Sequence, residues 1–192
     1  MNPIEGHLPV RSPLHDILAP AGIAVVGASA DPTKRGYKAM VGLIKDGYRG
    51  DIYPVNPKAD MILGVKAWPS VTAIPGNPEL ALICTPASSV PGLIAECGRR
   101  GIKGAVILAS GFAEIGGEGA ELERQMMEKA RAHGVRLIGP NTSGIFNLHH
   151  RINLLALDNV KAGDVGIISQ SGNMLLSLAL EAQHNGHVGF ST

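Results

Sequence analysis

The sequence predicts an α/β chain folded around a doubly wound, mostly parallel sheet. Three observations carry that prediction. Short, uniformly apolar runs recur at 23–26, 80–84 and 104–108, the length of strands covered on both faces. Segments with helical spacing separate them, and glycine or proline closes almost every run. Glycine is abundant at 25 residues, as many short strand-to-helix turns require.

The elements follow in order. Ser12 and Pro13 read as an N-cap and first helical residue of a short helix ending near Ala19 and Pro20. Residues 23–26 form the first strand, closed by Gly27. Residues 37–45 show helical spacing through Met40, Val41 and Ile44, stopped by Gly47. Residues 51–55 form the second strand, broken at Pro57; 62–65 is a short extended piece and 70–74 a short helical one. Then come a strand at 80–84, a helix through Val90, Leu93, Ile94 and Cys97, and a strand at 104–108. A helix at 118–132 and a strand at 135–138, ended by Gly139, Pro140 and Asn141, complete a Rossmann-like unit. After a looser stretch at 152–156, a strand at 165–168, a Ser169 to Gly172 turn, a helix to about Gln183 and an apolar run at 188–190 start a second α/β unit. The expected division is a flexible arm at 1–12, the main domain at 13–150, a linker at 151–162, and the first elements of a second, flavodoxin-like domain at 163–192.

Composition narrows the function classes. A formal charge of +1, with both signs mixed throughout, argues against a broad nucleic-acid surface but leaves room for one local anion site. The two cysteines, Cys84 and Cys97, lack metal-ligand spacing and disulfide density, so a reducing cytoplasmic setting is expected, with no metal site. No leader or membrane-length apolar run is visible.

Residues 27–36 lie where a doubly wound fold binds anions, between the first strand and the first long helix. A dinucleotide fingerprint wants Gly-x-Gly-x-x-Gly; here Gly27 is followed by Ser29 and Pro32 in the second and third places, which weakens an NAD reading. Lys34 and Arg35 are either solvated charges or ligands for an anion, since cations oppose the helix dipole. The second strand ends in Val55, Asn56, Pro57 and Lys58 with no carboxylate before Asp60; this is either a plain turn or a site for an extra ribose phosphate, as in coenzyme A or NADP. Cys84 reads as a small buried residue rather than a nucleophile. His133 reads as part of a helix stop; none of the histidines is assigned a catalytic role, and no catalytic residue is expected in the chain.

The ordered set Val25-Val26-Gly27-Ala28-Ser29, Ile52-Tyr53-Pro54-Val55-Asn56-Pro57-Lys58, Ser110-Gly111-Phe112-Ala113-Glu114, Gly139-Pro140-Asn141 and Ser169-Gln170-Ser171-Gly172 resembles the N-terminal part of ADP-forming acyl-CoA synthetases, and more distantly the succinyl-CoA synthetase alpha subunit. The resemblance implies that Gly27, Ala28, Ser29 and Lys34 hold CoA phosphates, and that Val55, Asn56 and Lys58 meet its nucleotide end. It implies that Thr85 and Pro86 wall the ligand, that Ser110, Gly111 and Glu114 lie near its thiol end, and that Asn141 faces the reaction centre. It further implies a carboxylic acid substrate, ATP/ADP and Mg in the complete enzyme, and an acyl phosphate and a phosphohistidine supplied by a downstream histidine and an ATP-grasp unit. Asn173 departs from the small residue usual after the Ser-Gln-Ser-Gly turn. A stand-alone CoA-binding regulator and an NADP-type oxidoreductase are the alternatives. No nucleic-acid or membrane partner is expected, and the 163–192 segment is expected to self-associate or fray.

Overall fold

A computed structural model describes Ser12 and residues 14–155, 157–186 and 188–192. Residues 1–11, Pro13, Ala156 and His187 lie outside the described residues, and with them most of the expected arm and the Pro13 helix start.

The chain runs α1 (His15–Leu18), β1 (Gly22–Val26), α2 (Arg35–Lys45), β2 (Asp51–Val55), β3 (Met61–Ile62), β4 (Val65–Lys66), β5 (Leu80–Ile83), α3 (Val90–Arg99), β6 (Gly104–Ile107), α4 (Gly117–His133), β7 (Arg136–Ile138), β8 (Phe146–Asn147), β9 (Ile152–Asn153), β10 (Ala162–Val165) and α5 (Gly172–Asn185). Five strands pair in the order β2-β1-β5-β6-β7, all parallel. The uniformly apolar runs are the interior strands: β1, β5 and β6 are buried at every position. Alternation along each strand splits the core in two. Ala24, Val26, Ala81, Ile83, Ala105 and Ile107 face the layer built by α3 and α4, where Ile94, Cys97, Met126 and Ala130 are buried. Ile23, Val25, Leu82 and Val106 face α2, through Ala39, Met40 and Leu43, and the segment carrying Ile152 and Leu154. Successive strands are added to one side of β1 and then, from β5, to the other, which places a topological switch point at the β1–β5 boundary.

Four expectations are corrected. The first helix takes Leu14 as its N-cap, with Ser12 accepting the His15 amide through its carbonyl at 2.8 Å, so it starts later than the Ser12-Pro13 reading. The segment 70–74 is a turn, with Ala73 and Ile74 amides bonded back to Ser70 and Val71, too short for a helix. The first long helix begins at Arg35, two residues early. The late strand is β10 at Ala162–Val165 rather than 165–168, bridged to Phe190, and backbone bonds from Val165 to Gly189 and from Ile167 to Thr192 carry the pairing past its end.

α5 packs Ala179 and Ala182 with Phe146 and Phe190 in a small third cluster. Its other side and the preceding turn leave Ile168, Met174, Leu178 and Leu180 exposed. Among the described residues no helix is long and apolar enough to cross a membrane.

Candidate functional site

The carboxyl ends of β1 and β5 open into a cleft of about 720 Å³ lined by Gly27, Ala28, Ser29, Thr33, Lys34, Arg35, Gly36, Asn56, Cys84, Thr85, Pro86, Ala87, Ala109 and Ser110. This is the switch-point crevice, where strand-end amides and a helix N-terminus converge. Lys34 and Arg35 are its charged lining residues, so the lining is cationic and carries no carboxylate.

The loop after β1 is shaped by its own short bonds. Gly27 has φ of +82° and donates its amide to the Val55 carbonyl at 3.0 Å. A side chain there would be strained in backbone and would meet Thr85 Cγ2 at 2.9 Å. Ser29 Oγ accepts the Asp31 amide at 3.0 Å, and Asp31 Oδ1 accepts the Thr33 amide and hydroxyl at 2.9 and 2.8 Å. Those Thr33 bonds hold the exposed Asp31 carboxyl below the usual carboxylate range. Gly36 closes the loop: a Cβ on it would sit 2.1 Å from the Gly27 carbonyl oxygen. The close helix-to-strand packing that a dinucleotide fingerprint gives to its third glycine is therefore supplied by Gly36. The fingerprint is stretched rather than absent. α2 opens with no side-chain cap and no acidic residue in its first turn, and Asp31, the loop carboxylate that feels the Lys34 charge, is bonded to Thr33.

The neighbouring strand ends frame this loop. Asn56 Nδ2 donates to the Ala28 carbonyl at 2.9 Å, and Asn56 Oδ1 accepts the Lys58 amide at 2.8 Å. Thr85 and Ser89 hydroxyls bond at 2.8 Å, fixing the turn into α3. Burial pushes the Cys84 thiol up to about 12, against a smaller pull from Arg35, which leaves it protonated at neutral pH and inert as a nucleophile. Burial pushes Cys97 up to about 12 as well.

Of the residues expected at the site, Gly27, Ala28, Ser29, Lys34, Asn56, Thr85, Pro86 and Ser110 come together in the cleft. Val55, Lys58, Gly111, Glu114 and Asn141 do not line it. Val55 is buried and supports Gly27 through its carbonyl. Glu114 accepts the Gly111 and Phe112 amides at 2.7 and 3.1 Å, which lowers its carboxyl and commits it to its own loop. Asn141, at φ +55°, donates its amide to the Ala109 carbonyl at 2.8 Å, tying the turn after β7 to the end of β6. The expected contacts leave out Thr33, Gly36 and Ala87, and Arg35 enters the sequence analysis only as one of a basic pair open to an anion. The basic pair and the late glycine were the available signals for Arg35 and Gly36. The turn after β7 also meets the start of α5: a Cβ on Gly172 would lie 2.1 Å from Ser143 Oγ. Ser171 caps that helix by accepting the Met174 amide at 3.3 Å. No group of metal-ligating side chains occurs among the described residues.

Comparison with known proteins gives consistent matches. The family model for the CoA binding domain matches residues 21–147. The acetate–CoA ligase (ADP-forming) II of Archaeoglobus fulgidus is 44% identical over 182 residues, 93% of this chain and 27% of the relative. The alpha subunit of acetate–CoA ligase (ADP-forming) II from Pyrococcus furiosus is 46% identical over 153 residues, 80% of this chain and 33% of the subunit. Among solved structures, PH0766 from Pyrococcus horikoshii OT3 matches with a TM-score of 0.88 and 41% identity, covering 93% of this chain and 40% of that one. The dinucleotide-forming acetyl-coenzyme A synthetase 1 of Ca. Korarchaeum cryptofilum, in complex with phosphate and ADP, matches with a TM-score of 0.88 and 37% identity, covering 93% of this chain and 38% of that one. The chain thus spans about a quarter to a third of the length of these curated relatives. It belongs to the CoA binding domain family, in the form that ADP-forming acetate–CoA ligases carry.

Proposed function

We propose that the switch-point cleft binds CoA for an ADP-forming acyl-CoA synthetase. The observation that carries this reading is the cleft lining: two cations, uncapped amides at the start of α2 and no carboxylate. Such a lining suits a diphosphate and opposes the ribose-binding acid of an NAD site. The diphosphate rests on Gly27, Ala28, Ser29 and Lys34. The nucleotide end runs toward Asn56 and Lys58, where Asn56 braces the loop and Lys58 supplies charge from outside the cleft wall. The pantetheine arm follows Thr85, Pro86 and Ser110 toward Gly111, Glu114 and Asn141, with the last three shaping turns rather than touching the arm first.

In the whole protein the reaction is acid, ATP and CoA giving acyl-CoA, ADP and phosphate through an acyl phosphate and a phosphohistidine. This stretch holds the thiol substrate and excludes Cys84 from competing as a nucleophile; the histidine and the ATP/Mg unit belong to other parts of the protein. Residues 163–192 begin a second domain whose remaining elements cover the exposed face of α5.

Calorimetry tests the ligand. CoA should bind more tightly than NADP or NAD, and more weakly as salt rises. Lys34→Ala should weaken CoA more than Lys58→Ala, because Lys34 lines the cleft and Lys58 does not. Tighter binding of NADP than CoA overturns the reading.

A further inference from the structure

Arg35 is the first residue of α2 and lines the cleft, yet its side chain leaves the loop it starts from. Nη1 donates to the Thr142 carbonyl at 3.4 Å. In the sheet order β2-β1-β5-β6-β7, two strands stand between the one that feeds α2 and the one that feeds Thr142. With strands roughly 4.8 Å apart, the guanidinium passes over the ends of β5 and β6. Its charge is felt at Cys84, next after β5, which agrees with that path.

The anchor is weak. A firm N–H···O bond spans about 2.7–3.2 Å, and the Thr142 contact is longer. No other hydrogen bond to the guanidinium occurs among the described residues, so most of its donors stay available. Lys34 beside it places two like charges at the positive end of a helix dipole, with no acid in the first turn to offset them. Asp31, the loop carboxylate that feels the Lys34 charge, is committed to Thr33, so an anion between the two cations would relieve their repulsion.

We propose that Arg35 is a further ligand-binding residue of this cleft, exchanging the Thr142 carbonyl for the diphosphate of CoA. The inference rests on the CoA reading above and adds a residue and a motion to it. A guanidinium offers a planar, two-pronged donor face to phosphate oxygens, whereas Lys34 contributes a point charge. On release, Thr142 keeps its amide bond to the Ile107 carbonyl but loses its tie to α2. The turn between β7 and Ser143 is then held on one side fewer, at the place where it abuts Gly172.

The test is calorimetry on wild type, Arg35→Gln and Arg35→Lys, with CoA and with dephospho-CoA, which keeps the diphosphate and lacks the 3′-phosphate. The melting temperature without ligand is measured alongside. Arg35→Gln should weaken both ligands by the same factor, about tenfold to a hundredfold, with a shallower salt dependence and an unliganded melting temperature within about 1 °C of wild type. Arg35→Lys should recover part of the loss. Unchanged CoA affinity in Arg35→Gln overturns the proposal. So does a loss confined to CoA, which would assign Arg35 to the 3′-phosphate, and so does a loss matched by a lower unliganded melting temperature, which would make Arg35 a strap. Failure of the wild type to bind CoA would instead overturn the CoA reading itself.

Discussion

Replacing Gly36 by alanine should cost stability and ligand affinity together. The added Cβ would lie 2.1 Å from the Gly27 carbonyl oxygen, 2.9 Å from the Gly27 carbonyl carbon and 3.0 Å from Ala28 Cα, all backbone atoms that cannot rotate away. Comfortable carbon contacts need about 3.5 Å or more, so the start of α2 must move off the loop by roughly 1 Å. That shift disturbs Ala39, Met40 and Leu43, which anchor the helix in the core. Overpacking of this kind costs about 3 kcal/mol, against at most about 1 kcal/mol gained from alanine's helix propensity. A net loss of about 2 kcal/mol lowers the melting temperature by about 4–8 °C in a chain of this size. Gly92→Ala supplies the control, since Gly92 lies inside α3 and its added Cβ meets nothing within 4 Å. It should stabilise by about 0.5–1 kcal/mol. Thermal and urea unfolding of both variants, with CoA titration of each, measures the contrast. A Gly36→Ala chain that melts with or above wild type refutes the packing argument, as does an equal loss in Gly92→Ala.

Three further outcomes are expected. Glu114 has its carboxyl lowered from 4.5 by the Gly111 amide and its neighbours. Its contribution to stability is therefore full above about pH 4.5 and fades as pH falls through the lower folded value. Urea unfolding between pH 6 and 3 should show a shallower acid loss for Glu114→Gln, and parallel curves would contradict the bond. Cys84 and Cys97, both pushed up to about 12 by burial, should resist a disulfide reagent at pH 7.5 in the folded chain and react in urea. Fast labelling of native Cys84 would show an accessible thiolate. Met174→Lys and Leu178→Lys, at residues 58% and 46% exposed and outside the Phe146–Phe190 cluster, should lower concentration-dependent association in sedimentation while leaving the melting temperature unchanged.

The main sheet was legible because its signal is one-dimensional. A strand covered on both faces must be apolar at every position, and β1, β5 and β6 obey that rule. The cleft's backbone was legible for a related reason: a parallel sheet offers its amides at one end, and Gly27 and Ser29 occupy that end. What escaped is set by contacts between distant residues. Asn56 and Glu114 carry the polar groups expected of ligand contacts, but their side chains are bonded to the protein's own backbone. Nothing in the local residue pattern separates those two uses. The late position of Gly36 points in sequence only to a longer loop, whereas its packing role depends on the distance to Gly27.

The β10 register shows the same limit most sharply. Val165, Gly166, Ile167 and Ile168 form the apolar run, and periodicity favours them as a strand. The backbone instead pairs from Ala162, where Gly163 and Gly189 approach so closely that a Cβ on Gly163 would stand 2.6 Å from Gly189 and one on Gly189 would stand 2.5 Å from the Ala162 carbonyl oxygen. Two glycines 26 positions apart in sequence thus set the pairing, by permitting a contact that no side chain survives. Ile168 is left facing outward, while Ile167 donates its amide to the Thr192 carbonyl and packs against the Phe146–Phe190 cluster. An apolar run predicts burial; only the partner that reaches it decides which residues of the run become strand.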